Sequence, residues 1–320
     1  MIKTLRLSIA ELAQVKHTDF SNAGKHVSLG KCKIMTISHI FIARFTSTNC
    51  FVLILAFMTM MVLASRTATA LEIFSGHATQ GGMVIIKTDP LAHLTIDGQT
   101  LAVAKNGLAV IGFHRDDIAP VDVVAQYPDG RHDTLTLTPT PREFEEQRID
   151  GLPQNMVTPP QDVLDRIARD KEEVSQARAI TSDLNGWQQD FIWPSHGIIT
   201  GIYGSRRILN GQPRAPHYGI DIAAAIGTPV KAPADGVITM VDDLYFTGIT
   251  IIMDHGHGIS STFLHLDKAN ISVGMAVKQG DIIGEVGSTG RSTGAHLDWR
   301  INWFTKRLDP ALLAGSMPNS

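Results

Sequence analysis

Short runs of apolar and β-branched residues, each closed by a glycine-bearing turn, recur along most of this 320-residue chain. That rhythm favours hairpins. Asp97-Gly98, Asn106-Gly107 and Pro128-Asp-Gly130 supply the positive φ that tight reversals need. Between them lie Met83-Val-Ile-Ile86, Leu94-Thr-Ile96, Leu108-Ala-Val-Ile111, Val121-Asp-Val-Val124 and Thr134-Leu-Thr-Leu137. Residues 71–141 are therefore expected to form a small β-sandwich. Its four histidines, His77, His93, His114 and His132, show no ligand spacing and read as surface or hydrogen-bonded side chains. Residues 142–190 break the pattern. Pro159-Pro160 precedes Val163, Leu164, Ile167, Ala168, Val174 and Ala177 at loosely helical spacing, which predicts a linker with one amphipathic helix whose charged face serves only solvation. From residue 191 to 316 strand-and-turn character returns with more glycine, followed by a short tail, 317–320. The expected fold is mainly β, with room for two modest domains.

Charge and cysteine narrow the setting. Residues 1–70 hold eight Lys or Arg and two Asp or Glu, leaving 20 basic against 29 acidic side chains over the rest. An acidic body argues against a nucleic-acid partner. Both cysteines, Cys32 and Cys50, precede residue 71, so a chain cut there has no thiol nucleophile and no thiolate ligand. Cys50 to Ser65 is uncharged and mostly apolar, with Arg44 before it and Ala68-Thr-Ala70 after it. This is the order of a secretory signal peptide, assigned to 35–70, and the run is shorter than the roughly 20 apolar residues a spanning helix needs. We expect an exported protein of the periplasm or cell envelope with no stable membrane span after cleavage. Residues 1–34 are polar and mixed in charge, and are expected to be a non-native extension ahead of a start at Met35.

The residues that look like chemistry lie between His217 and Asp298, in three pieces: His217-Tyr-Gly-Ile-Asp221, Thr262-Phe-Leu-His265-Leu266 and Gly294-Ala-His296-Leu-Asp298-Trp299. Side chains alternate along a strand, so positions i, i+2 and i+4 share a face. His217 with Asp221, and His296 with Asp298, can each present a polar pair to one side of a sheet. Two imidazoles and two carboxylates aimed at one point, with His265 beside them, could hold a divalent metal and leave bases free to move protons.

This combination resembles the lysostaphin-like family of zinc metallopeptidases, which cut peptides of bacterial cell-wall peptidoglycan. The resemblance runs from about Phe191 to Leu313 and is supported by Gly227-Thr-Pro-Val230, Asp254-His-Gly256, Thr289-Gly290 and Asp309-Pro310. It implies a lysostaphin-like antiparallel β domain and one Zn2+ per chain held by His217 and Asp221. It also implies that His265 and His296 assist proton transfer and transition-state stabilisation. The third ligand is ordinarily the second His of a His-x-His pair; here that position is Asp298. A carboxylate can ligate zinc, but it is shorter than imidazole and would leave the centre formally neutral, with less power to acidify water. The implied activity is endopeptidase cleavage of stem-peptide cross-links, with peptidoglycan as partner. The alternative is a non-catalytic relative that activates a cell-wall amidase, since such relatives lose metal-site residues and Asp298 is one such change. Under either reading the N-terminal β domain could bind a protein partner.

Three other signals are weaker. His255-Gly-His257 is a literal His-x-His pair, but Gly256 and Gly258 make it a turn. Gly290-Arg-Ser292-Thr-Gly294 matches a serine-hydrolase elbow, yet Ala295 to Ile301 alternates like a strand where a helix is required. Trp187, Trp193, Trp299 and Trp303 read as core and groove walls.

Overall fold

The structure, a computed structural model, describes residues 70–151 and 158–318. The expected extension 1–34 and the signal segment up to residue 69 lie outside the described residues. Among those described, no helix is long and apolar enough to cross a membrane.

The chain is mainly β, as the turn pattern predicts. In the N-terminal region an antiparallel sheet of Glu72–Gly76, Met83–Lys87 and Leu108–Gly112 faces a four-stranded sheet of Gln99–Leu101, His93–Ile96, Val121–Gln126 and His132–Leu137. Val84, Ile86, Leu94, Ile111 and Val123 fill the space between them. Asp97 and Gly98 both take positive φ, 49° and 76°, at the hairpin joining His93–Ile96 to Gln99–Leu101.

One helix, α1 (Leu164–Ala179), follows. Val174 and Ala177 pack on Met240, Leu244 and Ile252 of the C-terminal sheet. The charged face of α1 does more than meet solvent, because Arg166 donates to the Asp243 carbonyl at 2.8 Å and Asp170 accepts from the Tyr245 amide at 2.7 Å. The expectation of a merely solvated face fails here, since β-strand backbone lies within reach of these side chains.

The C-terminal region is a ten-stranded sheet. Its strands are β1 (Ile198–Gly201), β2 (Ile220–Ala223), β3 (Pro229–Lys231), β4 (Gly236–Leu244), β5 (Gly248–Gly256), β6 (Ile259–Ala269), β7 (Ala276–Val277), β8 (Ile282–Val286), β9 (His296–Trp303) and β10 (Lys306–Leu308). The hydrogen-bonded order is β7-β4-β5-β6-β9-β2-β1, with β3 on β8, β8 on β6 and β10 on β9. Strands β2 and β6 therefore flank β9, which places the three motif segments side by side. All four tryptophans are buried, and Trp193 meets Trp299 edge to face at 5.8 Å, so they are core.

The two β regions share one hydrophobic core. Gly112 lies so close to Trp303 and Leu308 that an added Cβ would stand 2.6 and 2.8 Å from their side chains. Arg142 pairs with the buried Asp309 at 2.8 Å, and Lys306 with Asp117 at 2.7 Å.

Candidate metal centre

Register brings the carboxylates together. Asp221 of β2 stands directly opposite Asp298 of β9. His217 lies just before β2, locked by its amide donating to the Ser205 carbonyl at 2.9 Å and its carbonyl accepting from Gly204 at 2.7 Å. The chain can run this close to β9 because residue 219 is glycine, where a Cβ would sit 2.5 Å from Asp298 Oδ1. As a result one ligand atom each from His217, Asp221 and Asp298 lies within 4.8 Å of the others, and all three residues are buried.

These atoms fit a cation. Both ring nitrogens of His217 and the Oδ1 of Asp221 are buried without a hydrogen-bond partner among the described residues. His217 Nε2 and Asp221 Oδ1 approach to 3.1 Å without hydrogen-bond alignment. Buried polar atoms are almost always paired, so facing lone pairs left unpaired point to an ion of the kind bound by His and carboxylate.

His265 and His296 border the same point, with ring centroids 4.8 Å apart. His265 arrives there by a bulge. Between β5 and β6 the register slips, Ile249 facing Leu266 but Ile251 facing Phe263, and His265 takes a left-handed φ of 62°. Leu264 stands opposite Asp298, so strict alternation would send His265 to the far side; the extra residue turns it back. Its Nδ1 contacts the Thr289 carbonyl at 2.7 Å, and a carbonyl only accepts, so Nδ1 carries the proton and Nε2 keeps a free lone pair. His296 makes the same choice with the Gly294 carbonyl at 2.8 Å, and its Nε2 lies 3.9 Å from Asp221 Oδ1. Burial pushes the His265 imidazole down to about 4, against the opposing pull of Asp298, so it is neutral at physiological pH.

Two arginines that the motifs do not mark complete the site. Arg207 donates to Asp221 Oδ2 at 2.7 Å. Arg300, two residues beyond Asp298 on β9 and thus on its face, donates from Nε to Oδ1 at 2.9 Å and also grips Oδ2. Burial works to raise the Asp298 carboxyl, but Arg300, then His217 and His265, override it and hold it far below the usual carboxylate range. For Asp221, burial and the Asp298 charge push upward, while His217 and Arg207 prevail and lower it. The expected formal neutrality of the centre therefore counts too few groups, because each carboxylate carries its own guanidinium and positive potential is restored.

The rejected signals sit elsewhere. His255 is fully buried in β5, its Nδ1 on the Asp235 carbonyl and Nε2 on Ser261, both at 2.8 Å. His257 occupies the following turn with φ 52° against Trp187. Ser292 lies in the loop leading into strand β9, where an elbow would need a helix, and contacts the Gly294 carbonyl at 2.6 Å.

Comparison with known proteins agrees. The sequence profile of Peptidase family M23 matches residues 215–310. Over 87 residues, 27% of this chain and 20% of the relative, the sequence is 40% identical to the peptidoglycan DD-endopeptidase ShyA of Vibrio cholerae. It is 40% identical over 102 residues to the DD-carboxypeptidase/endopeptidase Mpg of Neisseria meningitidis, covering 32% of this chain and 24% of that one. The chain thus spans about a fifth to a quarter of the length of these curated relatives. A Pseudomonas aeruginosa structure described as an M23 peptidase superposes with a TM-score of 0.59 at 27% identity, covering 74% of this chain and 95% of that one. The profile match takes in His217, Asp221, His265, His296 and Asp298, and the C-terminal part of this chain is a lysostaphin-like domain of peptidase family M23.

Proposed function

We propose that the protein is a zinc-dependent endopeptidase that hydrolyses amide bonds in peptidoglycan stem-peptide cross-links, between D-alanine and a diamino acid, in the periplasm or cell envelope. The observation that carries this reading is the convergence of His217, Asp221 and Asp298 on a buried point where both ring nitrogens of His217 and Oδ1 of Asp221 find no other partner among the described residues. Names of relatives supply the substrate class.

His217, Asp221 and Asp298 would hold one zinc ion, which when bound supplies a Lewis acid able to acidify water and polarise an amide carbonyl. Arg207 and Arg300 fix the two carboxylates and offset their charge. His265 stays neutral and offers Nε2 as acceptor of the water proton, which it then passes to the leaving amine, while His296 holds its own free Nε2 toward the same point. Both rings are oriented by backbone carbonyls, so neither has to reorganise during proton transfer.

The test is digestion of purified cross-linked sacculi by the mature protein with and without a chelator. Chelator-sensitive release of un-cross-linked fragments is expected; no release after reconstitution with zinc would overturn the reading. A second reading, a non-catalytic activator of a wall amidase, is favoured by one observation: Arg300 already engages both oxygens of Asp298. It predicts inert wild type, amidase stimulation on mixing, and recovery of hydrolysis in Asp298→His.

A further inference from the structure

Beside the metal centre, on the same face of the sheet, lies a cavity of about 640 Å³ between α1 and strands β4 to β6, β9 and β10. Its walls are apolar, with Ile167 on the helix side and Leu244, Phe246 and Leu264 on the sheet side. Its charges are unbalanced. Lys171, Arg178, Arg300 and Arg307 line it against a single acid, Asp170, which is already engaged by the Tyr245 amide.

The three arginines form one cluster. Arg178 reaches from α1 to Thr262 Oγ1 at 3.1 Å, and Thr262 stands opposite Arg300 across β6 and β9. Arg307 donates to Asn302 Oδ1 at 3.1 Å, and Asn302 is two residues beyond Arg300. Arg300 has Asp298 as its counter-charge, whereas neither Arg178 nor Arg307 has a carboxylate partner among the described residues. The Nε of Arg178 is buried with no acceptor among the described residues. Burial and the neighbouring guanidiniums, Arg307 and Arg300, depress the Arg178 side chain well below its usual value, and burial brings Arg307 down to about 10. Like charges held together in a partly dry pocket without anions are costly unless something else supplies the anion.

We propose that this cavity is a carboxylate subsite, in which Arg178 and Arg307 clamp a free carboxylate of the peptide whose amide bond lies at the metal centre. Two features choose an organic carboxylate over an inorganic anion. Guanidinium forks match the planar carboxylate, as Arg300 on Asp298 illustrates within the same site. The apolar walls suit an aliphatic body carrying that charge and offer nothing to a bare, fully hydrated ion. Arg300 touches both the cavity and Asp298, so a carboxylate held here belongs to a residue next to the one being cut. The identity of the occupant rests on the peptidase reading; the existence of the subsite does not.

The test is therefore binding and not turnover. The intact protein, stripped of metal by a chelator, is titrated calorimetrically at millimolar concentration with N-acetyl-D-alanyl-D-alanine, with its C-terminal amide and with inorganic phosphate. The free acid is expected to bind at least about tenfold more tightly than the amide or phosphate, and Arg178→Gln and Arg307→Gln each to weaken it about tenfold. Both variants should match or exceed the wild-type melting temperature without ligand, because each removes an unpaired buried charge. No binding of the acid, equal binding of acid and amide, unchanged binding in both variants, or melting temperatures lowered in both would overturn the proposal. Phosphate binding as tightly as the acid would also do so, marking a site for inorganic anions only. Retained binding with no cleavage of sacculi would count against the peptidase reading alone, and cleavage without binding against the subsite alone.

Discussion

Two buried histidine clusters in one sheet, about His255 and about His217, have opposite hydrogen-bond status. His255 is completely enclosed and both of its nitrogens are satisfied, by the Asp235 carbonyl and Ser261. His217 is equally enclosed and neither of its nitrogens is satisfied among the described residues. A protein interior tolerates a polar group when its partners are built in, and an enclosed group left without them is waiting for one. His255 of the His-x-His pair belongs to the first kind, and the scattered His217 and Asp221 to the second.

The contrast can be broken most forcefully at His217. His217→Ala should abolish both zinc retention, read by elemental analysis after dialysis, and release of fragments from sacculi, without lowering the melting temperature of the metal-free protein. A large loss of metal-free stability would move His217 into the structural class. Arg300 is the next lever. Arg300→Met leaves the buried Asp298 carboxylate without its counter-charge, and urea titration should register a loss of about 3–5 kcal/mol. An unchanged midpoint would mean that Asp298 has water or another cation as its partner.

On the structural side, pH is the probe. Burial lowers the His255 imidazole from 6.5 to about 4, so the native state binds fewer protons than the unfolded state between those values. Stability from this group is complete above pH 6.5 and falls away as pH drops towards 4, by about 3 kcal/mol. Replacing His255 with Gln should flatten that part of the profile; an equally steep profile would assign the loss to other groups. The smallest effect is expected from Ser261→Ala, which strands one nitrogen of His255 at a cost of about 1–3 kcal/mol and leaves hydrolysis of sacculi unchanged. Lost hydrolysis there would erase the distinction between the two clusters.

Local chemistry made the strands and turns legible. The Asp97-Gly98 turn sits where its positive φ is needed, and the alternation from His296 to Ile301 is strand β9. His296 and Asp298 were legible because their spacing follows the strand period, while His217, which stands ahead of β2, was legible with Asp221 only through the family resemblance. That same period offered Arg300, at i+2 from Asp298, though a motif search passes over it. Arg207 and Arg178 were beyond sequence reasoning, since their partners Asp221 and Thr262 are reached only through tertiary folding. The position of His265 was equally hidden, because a one-residue bulge reverses the face that alternation assigns.

The seam at Gly112, Trp303, Arg142 and Asp309 sets how much of this chain can travel as a unit. The match to Peptidase family M23 begins at residue 215, but a fragment starting at Phe191 would bare Trp303 and Leu308 to water and abandon an acid inside the protein without its guanidinium. Shuffling or trimming of this chain has to carry the preceding hundred-odd residues along, so the smallest heritable piece that stays folded is larger than the piece that holds the candidate metal centre.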